Sequence, residues 1–255
     1  MSTATVSRVL AGREPVLPGT KEKVLTAVAD LGYVPSGAAK NLAARRTGVL
    51  GLCFPDLVGD QDIVQNDSGY WYDEVIRGME RSARRRGYAV LIAASHTSDD
   101  GRLVLSIAGR CDGLVVLART APFAMIEHVA TRTGPLITAT SPPRAAGRVG
   151  EQIIATGKVP RALVCANDQT AIGAIAALQH AGLAVPGDVA VTGFDGIQLG
   201  RHLRPGLTTV VQPMAALGDT AVTMLTDRID GSAPPQRTVE LPVRLEVRDS
   251  CGCPH

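Results

Sequence analysis

Apolar positions recur at helical spacing in the first fifty residues and then change to short unbroken runs from Val49 onward. In residues 2–11, Val6, Val9 and Leu10 form one stripe, while Thr3, Thr5, Ser7 and Arg8 project from the opposite side. Ser2 is placed to cap this helix and Gly12 to end it. Val24, Leu25, Val28 and Leu31 form a second stripe, opened by Thr20 and closed by Gly32. A third short helix is predicted over 36–46, capped by Ser36 and rich in alanine, with Leu42 as its one bulky apolar residue.

Beyond this point strands and helices alternate. "VLGLCFP", "YAVLIAAS", "DGLVVLA", "PLITAT", "RALVCAND" and "DVAVTGFD" read as strands. The intervening "YWYDEVIRGMERSARRRG", "GRLVLSIAGR", "PFAMIEHVATRT" and "QTAIGAIAALQHAG", with the late "MAALGDTAVTMLTDRIDG", read as helices. Strands that are apolar throughout are buried on both faces. The pattern therefore predicts an α/β fold of parallel sheets flanked by helices, with ligands bound at the carboxyl ends of the strands.

A length of 255 residues allows one large α/β domain or two smaller ones. The net charge of +2 is small but uneven. Residues 1–50 carry seven Lys/Arg against three Asp/Glu, whereas the rest carries 19 against 21. A basic N-terminal module on a near-neutral body fits a nucleic-acid-binding headpiece, and equally a solvated basic face. No signal peptide or long apolar run is recognisable, which predicts a cytoplasmic protein without a membrane partner. Cys53, Cys111 and Cys165 sit in apolar runs and read as reduced core thiols. Cys251 and Cys253 are too few and too close to supply a four-ligand metal site, so no metal is expected. No dinucleotide fingerprint, P-loop or nucleophile elbow is present, and the five histidines are dispersed. Neither an enzyme nor a cofactor is expected.

The stretch "TVSRVLAGREPVLPGTKEKVLTAVADLGYVPSGAAKNLAARRTGVLGL" resembles the DNA-binding headpiece and hinge of the lactose-repressor (LacI/GalR-type) transcription regulators. The body carries the family's other motifs: "YWYDEVIRGMERSARRRGY", "CDGLVVLA", "ALVCANDQTAIGAIAALQHAGLAVPGDVAVTGFD" and "LRPGLTTVVQP". The resemblance implies a partial helix-turn-helix and hinge over 1–46, joined to a periplasmic-binding-protein-like effector domain over 47–255. The N-subdomain is expected at about 47–140 and an incomplete C-subdomain at about 144–255. Residues 2–11 match the recognition helix, with Thr3, Ala4 and Arg8 at base-reading positions and Thr5 and Ser7 nearer phosphates. Leu42 matches the hinge leucine that wedges into the minor groove. Asn167 and Asp195 match effector-binding positions suited to sugar hydroxyls, and Trp71 and Tyr72 match effector-stacking positions. For Asn167, helix capping is the alternative; for Asp195, a turn; for Trp71, a core or subdomain-interface role. The implied partners are operator DNA, a small effector of the sugar type and a second copy of the chain.

The pattern also departs from the family. The helix that precedes "TVSRV" is not in the sequence, either because half the motif is lacking or because Met1 stands at a misassigned start. Between "GPLITATSPPR" and "RVGEQIIATGKVPRALVCAND" about 60–80 residues are absent, on the scale of two βα units. The family's effector-clamping R-x-x-G-[FY] motif falls in that gap. The main reading is an effector-controlled regulator, with a non-regulating family member or a sugar-binding module without DNA binding as alternatives.

Overall fold

A computed structural model describes residues 2–10, 15–33, 46–55, 69–95, 102–117, 135–139, 159–233 and 238–254, which fall into two compact units, Met1–Gly48 and Val49–His255. In the first unit, α1 (Thr3–Leu10) packs on α2 (Pro18–Asp30). Ser2 caps α1 as its sequence suggests, its hydroxyl accepting from the Thr5 N–H at 3.2 Å. α2 begins two residues before Thr20, because Pro18 is pre-set for the first helical turn and needs no hydrogen-bond acceptor for its nitrogen. The apolar stripes are only partly buried. Val9 and Val24 lie inside, whereas Leu25 is 48% and Leu31 80% exposed. Two helices cover each other along one seam only, so the rest of a wide stripe faces outward. The third predicted helix, with Leu42, lies outside the described residues.

Among the described residues, the second unit contains two four-stranded sheets. The first has the order β2 (Ala89–Ser95), β1 (Val49–Pro55), β3 (Gly113–Leu117), β4 (Leu136–Ala139), and all its strands are parallel. Leu50 and Leu52 of β1 face α3 (Gly69–Arg85), while Cys53 faces Val104 and Ile107 of α4 (Arg102–Ala108). Burial on both faces explains why "VLGLCFP" is apolar throughout. The second sheet has the order β5 (Ala162–Val164), β6 (Ala190–Asp195), β7 (Thr208–Val211), β8 (Arg244–Glu246). Helix α5 (Asp168–His180) covers it with Ala171, Ala174, Ile175 and Leu178. The short helix α6 (Leu199–His202) was not anticipated, nor were β7 and β8, the latter pairing antiparallel to β7.

A single contiguous cut near residues 140–144 does not separate the two layers. Helix α7 (Met214–Ile229) lies in sequence between β7 and β8 of the second sheet but covers the first. Its Ala221, Val222 and Leu225 join Leu50, Leu52 and Val115 in one core, and Arg228 donates to the Leu136 carbonyl at 2.7 Å. The chain re-crosses because α7's apolar face fits the otherwise open side of β3 and β4. α7 and α3 approach closely: a Cβ on Gly78 would fall on the Ala215 carbonyl oxygen, and one on Gly218 on that of Val75. Arg85 pairs with Asp219 at 2.6 Å and Arg86 donates to Thr223 at 2.8 Å across the same seam.

Gly218→Ala is therefore expected to destabilise the chain by about 1–3 kcal/mol through overpacking against backbone. Gly173, mid-helix in α5, has open space where a Cβ would stand. Gly173→Ala should stabilise by about 0.5–1 kcal/mol. Denaturant midpoints of the two variants, displaced in opposite directions, check both.

Candidate effector site and DNA-reading helix

Three parallel strands of the second sheet end side by side, and each delivers a polar residue at its carboxyl end. The β5–α5 connection carries Asn167 and Asp168, β6 ends at Asp195, and Gln212 follows β7. Asn167 is 3% exposed and extended, and its Oδ1 caps α5 by accepting from the Thr170 N–H at 2.7 Å. Its amide nitrogen makes no hydrogen bond among the described residues, so two donors stay available at the strand end.

Asp195 has the backbone angle φ of 130°, a conformation rarely taken by a non-glycine residue. Its Oδ1 accepts from Gln212 Nε2 at 2.6 Å, and its carbonyl accepts from the Gln212 N–H at 3.1 Å. Gly196 follows in the left-handed region, φ 79°, tight against Val211. Asp168, which is fully buried, holds this turn. Its Oδ2 accepts from the N–H groups of Gly196 and Ile197, both at 2.8 Å, and its Oδ1 accepts from the Thr209 hydroxyl. Gly193 makes room for it, since a Cβ there would fall on Oδ1. Burial pushes the Asp168 carboxyl above its ordinary value; Thr209, Ile197, Gly196 and the charge of Arg248 oppose that rise without cancelling it.

On the first sheet, Trp71 and Tyr72 open α3, which follows β1. Trp71 is 5% exposed and packs in the core with Leu50 and Leu52, as its alternative reading had it. Its indole N–H has no partner among the described residues. It meets Tyr72 edge-on with ring centroids 5.1 Å apart, and the half-buried Tyr72 lies 5.9 Å from Phe54. Tyr70, one residue earlier, is half-buried and packs against the same core. Gln212, Asp168 and Tyr70 were not singled out from sequence. The first stood inside "TTVVQP", and the other two beside residues that were chosen.

On α1, Thr3, Ala4, Ser7 and Arg8 are exposed on one side, opposite buried Val9. Thr5 is half-buried, with its hydroxyl 2.9 Å from Ser2 Oγ. No helix among the described residues is long and apolar enough to cross a membrane.

Comparison with known proteins identifies this architecture. The periplasmic binding protein-like domain family matches residues 116–251, and the lacI family of bacterial regulatory proteins matches residues 1–36. The chain belongs to the periplasmic binding protein-like domain family and carries a lacI-family helix-turn-helix segment at its N-terminus. It is 25% identical to catabolite control protein A of Priestia megaterium, over 98% of this chain and 96% of that protein. It is 26% identical to the ribose operon repressor of Haemophilus influenzae, over 98% and 95%. The structure of the lac repressor dimer bound to operator and an anti-inducer has the same fold, with a TM-score of 0.82 at 22% identity, covering 98% of this chain and 96% of that one. The alignment with catabolite control protein A runs over 327 positions, against 255 residues here, so at least 72 positions within it hold no residue of this chain. That matches the size of the expected gap, whose expected place lies outside the described residues.

Asp168→Asn would set an NH2 group or a neutral oxygen against three donors, and should lower the unfolding free energy by about 2–4 kcal/mol. The folded chain holds the Asp168 proton to higher pH than the unfolded chain does. Its contribution to stability is therefore complete below the ordinary value of 3.8 and is lost as pH climbs through the raised native value. Chemical denaturation of both forms across acidic pH should show that slope in the natural chain and not in Asp168→Asn.

Proposed function

We propose that the chain is a cytoplasmic, DNA-binding transcriptional repressor controlled by a small polyhydroxylated effector, most simply a sugar. The carrying observation is the cluster of Asn167, Asp195 and Gln212 at the carboxyl ends of adjacent parallel strands. This is where an open parallel sheet binds ligands. A carboxylate accepts from two neighbouring hydroxyls, and the two amides both donate and accept, so the set suits a sugar better than an apolar or anionic ligand. The unpartnered Trp71 N–H and the half-buried Tyr72 support a role for both at the first-sheet side of the same ligand. Relatives of the same fold include a cellobiose complex and a ribose complex, with TM-scores of 0.61 and 0.59.

DNA reading falls to α1. Arg8 is suited to fork onto guanine O6 and N7, and the Thr3 methyl and Ala4 to touch thymine methyls. Thr5 and Ser7 stand nearer phosphates, and Leu42 is the minor-groove wedge of the hinge. Two copies would place two such helices on a near-palindromic operator. Effector binding would act by changing the angle between the sheets, and through it the pairing of the hinges.

The test is selection from a randomised duplex pool followed by gel shift at low and moderate salt. The bound pool should converge on inverted half-sites. Arg8→Ala should lose about 1–3 kcal/mol of discrimination at one base position. Retained binding without any sequence preference would refute the DNA-reading role. Separately, thermal shift against a panel of mono- and disaccharides should yield a ligand that Asp195→Asn binds about 10- to 100-fold more weakly, from the loss of charge-assisted hydrogen bonds. Equal binding by both forms would remove Asp195 from the site.

A further inference from the structure

The five cysteines separate into two chemical kinds. Burial pushes the Cys53 thiol up to about 12, and those of Cys111 and Cys165 up to about 11, so all three stay protonated and inert. Cys251 and Cys253 are different in place and in environment. They end a 3-10 turn, Asp249–Cys251, that is bonded into the second sheet. Within it, the Ser250 hydroxyl donates to the Val191 carbonyl at 2.6 Å and accepts from the Thr208 N–H at 2.9 Å, and Asp249 accepts from the Gly206 N–H at 3.0 Å. The turn is thereby pinned to β6 and β7, and Cys251 is held half-buried at its end while Cys253 is exposed.

Gly252 between them takes a φ of 70°, which folds the chain back on itself. As a result the Cys253 N–H donates to Cys251 Sγ at 3.2 Å, and the Cys251 thiol points at the Arg248 carbonyl at 3.5 Å.

We propose that Cys251 and Cys253 form a redox-active dithiol that closes reversibly to an intramolecular disulfide by exchange with a low-molecular-mass disulfide. The Cys251 thiolate attacks one sulfur of the disulfide, forming a mixed disulfide and expelling the first small thiolate. Cys253, as its thiolate, then attacks the Cys251 sulfur, and the second small thiolate leaves. Two protein thiols are oxidised by two electrons, their two protons pass to the released thiolates, and the external disulfide is reduced to two thiols. Burial works against the Cys251 thiolate. Hydrogen bonds from the Cys253 thiol, from Thr208 and from the Cys253 backbone outweigh it, and the Cys251 thiol lies below its ordinary value. Cys253, which would lose its proton beside that thiolate, lies above. Attacking and resolving roles follow from this order.

The test treats the full, reduced chain with oxidised glutathione, quenches with an alkylating reagent and maps the tryptic peptide 249–255, which holds both cysteines. The peptide should lose the mass of two hydrogens, regain it after reduction, and form faster than the same disulfide in a synthetic peptide 249–255. Cys53, Cys111 and Cys165 should remain unmodified in the native chain. Cys253→Ser should stop at a stable glutathione adduct on Cys251, while Cys251→Ser should react no faster than the free peptide. The proposal is overturned if the peptide stays reduced, if it ends as a glutathione adduct in the natural chain, or if folded chain and free peptide oxidise at one rate. Cys253 is exposed and Cys251 half-buried, and an unchanged thermal transition verifies that each variant is folded.

Discussion

Asp168 is a carboxylate without access to water that takes hydrogen bonds from two different connections of the second sheet, and most of the candidate effector site depends on it. It accepts from Gly196, Ile197 and Thr209, and so ties the start of α5 to the turn after β6 and to β7. Leaving a buried carboxylate short of donors would cost several kcal/mol, so the start of α5, the turn after β6 and β7 are held together. Asp195 can then hold a backbone conformation that it would not adopt in a free loop, and Gln212 can stay fixed to it. Gly193 and Gly196 supply the space and the turn that this arrangement needs.

A second constraint acts on the first sheet. β3 and β4 have an apolar face that no helix of their own half covers among the described residues, and α7 returns from the second sheet to close it. Gly78 and Gly218 allow α3 and α7 to meet backbone to backbone, so a helix from the C-terminal part of the sequence is locked into the first-sheet layer by a packed seam. Such a seam resists gradual deformation and favours discrete arrangements, which is the behaviour an effector-controlled regulator requires.

The N-terminal unit shows the opposite economy. Among its described residues only Val9 and Val24 are buried, and Leu25 and Leu31 stand largely exposed although their spacing is that of a core stripe. A short helix packed along one seam is marginal on its own, so α1's presentation of Thr3, Ala4, Ser7 and Arg8 is expected to firm up against its DNA and neighbouring segments.

Much of this protein follows from local chemistry. Helical spacing, unbroken apolar strand runs and punctuating glycines were enough to place most described strands and helices, because burial on two faces leaves a compositional mark. Asn167 and Asp195 were marked as site candidates by the family resemblance, and their position after such strands agrees with it. Tertiary structure decided what no local pattern encodes. It made Trp71 a core residue and Asn167 a helix cap, brought α7 back to the first sheet, and drew Asp168, Thr209 and Gln212 into one network across strands distant in sequence. Those outcomes depend on which buried polar atoms find partners and which apolar faces remain open, and both are settled only when the whole chain has packed.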